Sequence, residues 1–231
     1  FKGQSTAARI DLGNVANSAP GLNLAFDTLT LVRPTNQGYN GFHHVSSETY
    51  NNCIIEGQYF TYGVATFTNC TFNTTDASNY NIWTYGSTSV TFDNCTFNCA
   101  GKSILVYNEG GNGSVVTVKD CTITNTTGIP VTGKAAIEID SSLLSSDKLF
   151  SIVVTNSTAT GFDEGTVSGN SLWNNKKGDL AQVTVDGVIV LSPFMTEVTA
   201  GVDPTYTIVI PASVDFGTLV KDSGVVTLDF D

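Results

Sequence analysis

The sequence has 231 residues, enough for one large domain with a small appendage. Apolar residues make up 41% and charged residues only 13%, a balance that excludes a disordered chain. A net charge of -11 disfavours nucleic acid and anionic membrane surfaces as partners, and no apolar run suits membrane insertion. Beginning at Phe1 rather than Met, the sequence reads as a mature or excised segment. Frequent Gly, Thr and Asn argue against helices.

In chain order, residues 1–22 contain Ile10-Asp-Leu-Gly and Ala19-Pro-Gly and read as a cap over the first rung of a repeat. That repeat begins at residue 23. Its clearest copies are Ala65-Thr-Phe-Thr-Asn-Cys-Thr-Phe72 and Val90-Thr-Phe-Asp-Asn-Cys-Thr-Phe97. Weaker copies start at Leu24, Glu48, Val116, Ile152 and Val183. Aligned on the Cys, an apolar column runs through Phe26, Tyr50, Phe67, Phe92, Val118, Val154 and Val185. A second runs through Leu31, Ile55, Phe72, Phe97, Ile123, Ala159 and Val190. Each unit is a short strand followed by a polar turn, too small to bury its apolar face except against its neighbours.

Between the repeats lies another strand, at Tyr59–Tyr62, Ile82–Tyr85, Ile104–Tyr107 and Ala136–Ile139. Alternation is expected to put Phe60, Trp83, Leu105 and Ile137 on one face with Tyr62, Tyr85, Tyr107 and Ile139, leaving Glu138 towards solvent. Beyond Pro193 the repeat stops, and segments 205–210, 211–214 and 225–230 read as strands lacking partners.

The columns and the Phe-x-Asn-Cys-Thr-Phe repeats resemble the right-handed parallel β-helix, the pectate-lyase-like architecture, and β-helix repeats of bacterial surface proteins. The resemblance implies an all-β solenoid of about seven rungs over residues 23–192, with residues 193–231 a small β-rich appendage faintly resembling the opening strands of surface β-sandwich modules. It also implies an extracellular or cell-surface location. This fold hosts lyases, hydrolases, adhesins and inert spacers, so function has to come from the site. The lyases use a basic catalytic residue with calcium, whereas Arg9 and Arg33 are the only arginines here. The hydrolase signatures Asn-Thr-Asp, Asp-Asp, Gly-His-Gly and Arg-Ile-Lys do not occur.

Four of the five cysteines, Cys53, Cys70, Cys95 and Cys121, fall in the repeat column and read as a buried thiol ladder. Cys99 lies outside it, the most reactive of the five and the one free to form a disulfide. Asn52, Asn69, Asn94, Asp120 and Asn156 precede that column and suit a left-handed turn. His43 and His44 read as loop residues.

Glu138 and Asp140, two apart on one strand, are the best carboxylate pair for glycoside hydrolysis or for calcium. Asp163-Glu164 falls in a long loop. Two outward columns, one containing Thr71, Thr96 and Thr122 after Thr30 and before Thr158, the other Asn73, Asn98 and Thr124, form a flat face suited to glycan or ice. The leading expectation is a non-catalytic surface or appendage module for adhesion or assembly. Its partners are a glycan, or further copies of the chain paired through the C-terminal strands as an oligomer or filament. The alternative is a polysaccharide-active enzyme of the lyase, hydrolase or depolymerase kind.

Overall fold

The computed structural model describes residues 1–13, 16–33, 41–85, 89–107, 114–140, 150–176, 181–191, 220–222 and 225–227. Every regular element among them is a strand. Three sheets of parallel strands stack within the unit formed by Phe1–Met195, two along most of it and the third from Tyr59 onward, each parallel strand pairing with its counterpart in the next repeat. This is a parallel β-helix.

The first face contains Asn23–Asp27, Ser47–Asn51, Val64–Thr68, Ser89–Asp93, Ser114–Lys119, Phe150–Thr155 and Ala181–Val185. Phe26, Tyr50, Phe67, Phe92, Val118, Val154 and Val185 are register partners there, as the spacing predicts. The second face contains Arg9–Asp11, Thr30–Val32, Ile54–Glu56, Thr71–Asn73, Thr96–Cys99, Thr122–Asn125 and Thr158–Thr160. Leu31, Ile55, Phe72, Phe97, Ile123 and Ala159 line its inner column. Like residues stack on like: ring centroids lie 4.5 Å apart for Tyr50–Phe67 and 4.6 Å for Phe72–Phe97. The third face contains Tyr59–Phe60, Ile82–Trp83, Ile104–Val106, Ile137–Ile139 and Trp173–Asn175.

One residue turns the chain from the first face to the second, and it takes a left-handed backbone. Thr28, Asn52, Asn69, Asn94, Asp120 and Asn156 all have φ between 45° and 57°. Asn tolerates that region, and here it also bonds its neighbour: Asn94 Nδ2 donates to Asn69 Oδ1 at 2.7 Å, and Asn156 Nδ2 to Asp120 Oδ1 at 2.7 Å. After the first corner, where Leu29 follows Thr28, the next position holds a small donor. Cys53 and Cys121 each donate to the carbonyl two residues back, at 3.2 and 3.1 Å, and Ser157 makes the same bond at 2.9 Å.

At the N-terminal end, Arg9–Asp11 adds a strand beside Thr30–Val32 and the Phe1 ring stacks on Phe26 at 5.0 Å. Thr30 is therefore covered and donates to the Thr6 carbonyl at 2.7 Å, leaving the exposed threonine row, while Ile54 separates it from Thr71. The seventh repeat is not a full rung. Asp186 and Gly187 both have positive φ, a two-residue hairpin turn, and Val188–Leu191 folds back antiparallel on Ala181–Val185. Val190 is consequently exposed rather than in the core column.

Residues Thr196–Asp231 form a separate unit, in which Val220–Asp222 pairs antiparallel with Val225–Thr227. Segments 205–210 and 211–214, expected as strands, lie outside the described residues.

Candidate functional site

The third face departs most from expectation. Its register pairs Tyr59, Ile82, Ile104, Ile137 and Trp173 in one column, and Phe60, Trp83, Leu105, Glu138 and Asn174 in the next. Tyr59, Ile82, Ile104 and Ile137 belong to the core. Alternation then turns Phe60, Trp83 and Leu105 outward, the reverse of the assignment that set Glu138 against them. The expected alignment of Ile137 and Ile139 is one residue out of register because Ala135-Ala136-Ile137 extends the apolar run without a phase marker.

The outward column begins as an aromatic stripe. Phe60 stacks on Trp83 at 5.0 Å, and Tyr85 on Tyr107 at 5.4 Å with planes 7° apart. Trp83 also meets Tyr107 at 5.4 Å, and Tyr62 meets Tyr85 at 5.6 Å. Tyr62, Trp83, Tyr85 and Tyr107 are all half-buried. His43 joins the stripe, its ring 3.8 Å from that of Tyr62, and ends a strand rather than lying in a loop; His44 is an exposed turn residue with φ 61°.

Two rungs further, the stripe gives way to charge. Glu138 is not solvent-facing: it is 0% exposed, covered by the segment that precedes it. Its carboxylate accepts the Ala135 N–H at 2.8 Å and Asn174 Nδ2 at 3.3 Å, with Lys134 Nζ at 3.3 Å and Lys176 Nζ at 3.7 Å. Asp140 is half-exposed, 3.9 Å from Lys176. Glu138 and Asp140 thus sit on one strand, but the former faces two ammonium groups instead of open solvent. A cation would have to displace those lysines, and no cluster of three or more metal-ligating side chains occurs among the described residues. Asp163 accepts the Gly133 N–H at 2.8 Å, a bond that lowers its pKa and ties its loop to the same corner.

On the second face, Thr71, Thr96, Thr122 and Thr158 are register partners, as are Asn73, Asn98, Thr124 and Thr160. Thr96 and Thr122 are exposed, while Thr71, Asn73, Asn98 and Thr124 are half-buried. Asn98 Nδ2 donates to Asn73 Oδ1 at 2.9 Å, so part of this face's bonding capacity is used internally. A cleft of about 520 Å³ lies beside it, lined by Arg33, Glu56, Gln58, Asn73 and Asp76 among others.

All five thiols are free and buried, Cys99 included at 0% exposure. Cys99 follows Phe97 by two on the second face and so points inward as Phe97 does, which the repeat frame alone did not indicate.

Glu48 carries no motif in the sequence, although the repeat frame places it in a column with Leu24, Ala65 and Val90. It is buried inside the solenoid, where Oε1 accepts the hydroxyls of Tyr50 and Tyr59 at 2.9 Å each, and Oε2 has no hydrogen-bond partner. Burial pushes its pKa up to about 7 against the pull of the two tyrosines.

No curated protein and no solved structure gives a significant match to the chain. The family model for a right-handed β-helix region matches residues 3–144 and 57–191. With its stacked parallel sheets, the chain belongs to the right-handed β-helix family.

Proposed function

We propose that this chain is a non-catalytic extracellular surface module that recognises glycans through its third face. The observation that carries this reading is the half-buried aromatic stripe of Tyr62, Trp83, Tyr85 and Tyr107, which stack ring to ring at and just beyond the strand ends of successive third-face rungs. Rungs recur about every 4.8 Å, so the rings form a continuous platform on which the C–H faces of pyranose rings stack. Aromatic side chains offer large contact area with little rotamer entropy to lose on binding. Glu138 supports a binding role over a hydrolytic one, because a fully covered carboxylate held by two lysines does not reach a glycosidic oxygen.

The test is a titration of β-linked gluco-, xylo- and N-acetylglucosamine oligosaccharides against the folded chain, read by calorimetry, with reducing ends assayed in parallel. Binding of one class without release of reducing ends is the expected result. Release that is lost in Glu138→Gln identifies the chain as a glycan-cleaving enzyme instead.

A further inference from the structure

At the C-terminal end of the third face, Glu138 and Asn174 meet out of reach of water, and Lys134 reaches in beside them. Glu138 and Asn174 are both 0% exposed, and the Lys134 side chain is 20% exposed. Asn174 Nδ2 and Lys134 Nζ each lie 3.3 Å from Glu138 Oε2. One carboxylate oxygen therefore holds an amine and a carboxamide nitrogen together. The carboxamide oxygen points into a separate site, accepting the backbone N–H groups of Val167 at 3.0 Å and Ser168 at 3.3 Å. Gly165 lets that loop approach: a Cβ there would stand 2.5 Å from the Asn174 Cβ.

An ion pair alone would need only the lysine and the carboxylate. Here a lysine amine and the carboxamide of Asn174 share one carboxylate oxygen as proton carrier, and a pair of N–H groups holds the carboxamide oxygen: the parts that acyl transfer requires. We propose that Lys134 and Asn174 join in an isopeptide bond, with Glu138 carrying the protons. Burial opposes the charge on Lys134, but the carboxylates of Glu138 and Asp140 more than offset this and raise its pKa, so the reaction starts from the ammonium.

Lys134 first gives a proton to Glu138 and becomes a neutral amine. Its Nζ then attacks Asn174 Cγ, forming the new C–N bond and placing negative charge on Oδ1 between the Val167 and Ser168 N–H groups. Glu138 delivers its proton to Nδ2, takes a second from the attacking nitrogen, and the Cγ–Nδ2 bond breaks. The carbonyl is restored and ammonia leaves with the proton Glu138 holds, as ammonium. No oxidant, reductant or other reactant enters. The product ties the turn before Ile137–Ile139 to the next strand, Trp173–Asn175, and restricts the unfolded chain as a disulfide does.

The experiment is the intact mass of the folded full chain, followed by proteolysis and sequencing of branched peptides. The expected result is a mass one ammonia below that of the sequence, with a branch joining Lys134 to Asn174. Lys134→Arg keeps the charge opposite Glu138 and hence the fold, and should have the full sequence mass; Glu138→Ala should as well. A wild-type chain that keeps the full mass after prolonged incubation overturns the proposal. So does an ammonia deficit that persists in Lys134→Arg, or a branch at Lys176 instead.

Discussion

The second and third faces share one backbone and differ in what their outward columns do along the stack. On the second face the columns keep their residue type over the rungs from Thr71 onward, with Thr71, Thr96, Thr122 and Thr158 in one and Asn73, Asn98, Thr124 and Thr160 in the other. On the third, the column runs Phe60, Trp83, Leu105, Glu138 and Asn174, a new chemistry at nearly every rung. Positions that repeat serve a need the rungs share: β-propensity, a left-handed corner and, from Cys53 to Ser157, a small donor beneath it. Positions that change rung by rung are free of that need. They are where a solenoid of this kind differentiates, first as an aromatic platform, then as an ion-paired corner.

The contrast is broken most severely from the inside. Phe67→Ala removes a fully buried ring stacked between Tyr50 and Phe92 and should destabilise by about 3–5 kcal/mol in denaturant titration. Thr96→Ala, on the exposed second face, should change stability by less than about 0.5 kcal/mol. Equal losses would contradict the strand phase.

Glu48 gives the next effect. Its folded pKa of about 7 is above the ordinary carboxylate value, so between the two the native state binds more protons than the unfolded one. The Glu48 contribution to stability should therefore be full below about pH 4.5, fall as pH rises towards 7, and be lost above, by roughly 3 kcal/mol for a shift of this size. Glu48→Gln should flatten that slope, as measured by denaturant midpoints across the range. An unchanged slope would place the titration elsewhere.

A smaller change sharpens the account of the corner. Asn94→Ala puts an ordinary side chain at φ 53° and removes the bond to Asn69, costing about 1–2 kcal/mol, whereas Asn94→Gly should cost less through the φ requirement. Identical losses would mean that the side-chain ladder, and not the backbone, dominates there.

The first and second faces are legible in the sequence because their residues answer a repeated physical demand. Two near-identical octamers set the frame, and the core columns, the left-handed Asn positions and the threonine rows follow from it. The third face reads out of phase: its strands are as short as two residues, Tyr59–Phe60 and Ile82–Trp83, and alternation over so few positions does not say which side is the core. The burial of Glu138 is hidden for a related reason, since much of its cover comes from Lys134 and Ala135, which precede the strand and lie outside the paired columns. Glu48 is legible in principle, as a charge in an otherwise apolar column.

The comparison of the two faces is tested most directly by calorimetric titration of one bound oligosaccharide against paired variants. Trp83→Ala and Tyr107→Ala on the third face should each weaken affinity by roughly tenfold or more, as loss of a central aromatic contact does. Thr96→Ala and Thr122→Ala on the second should leave it unchanged. Binding that survives both aromatic substitutions and falls with the threonines would contradict the assignment of recognition to the third face.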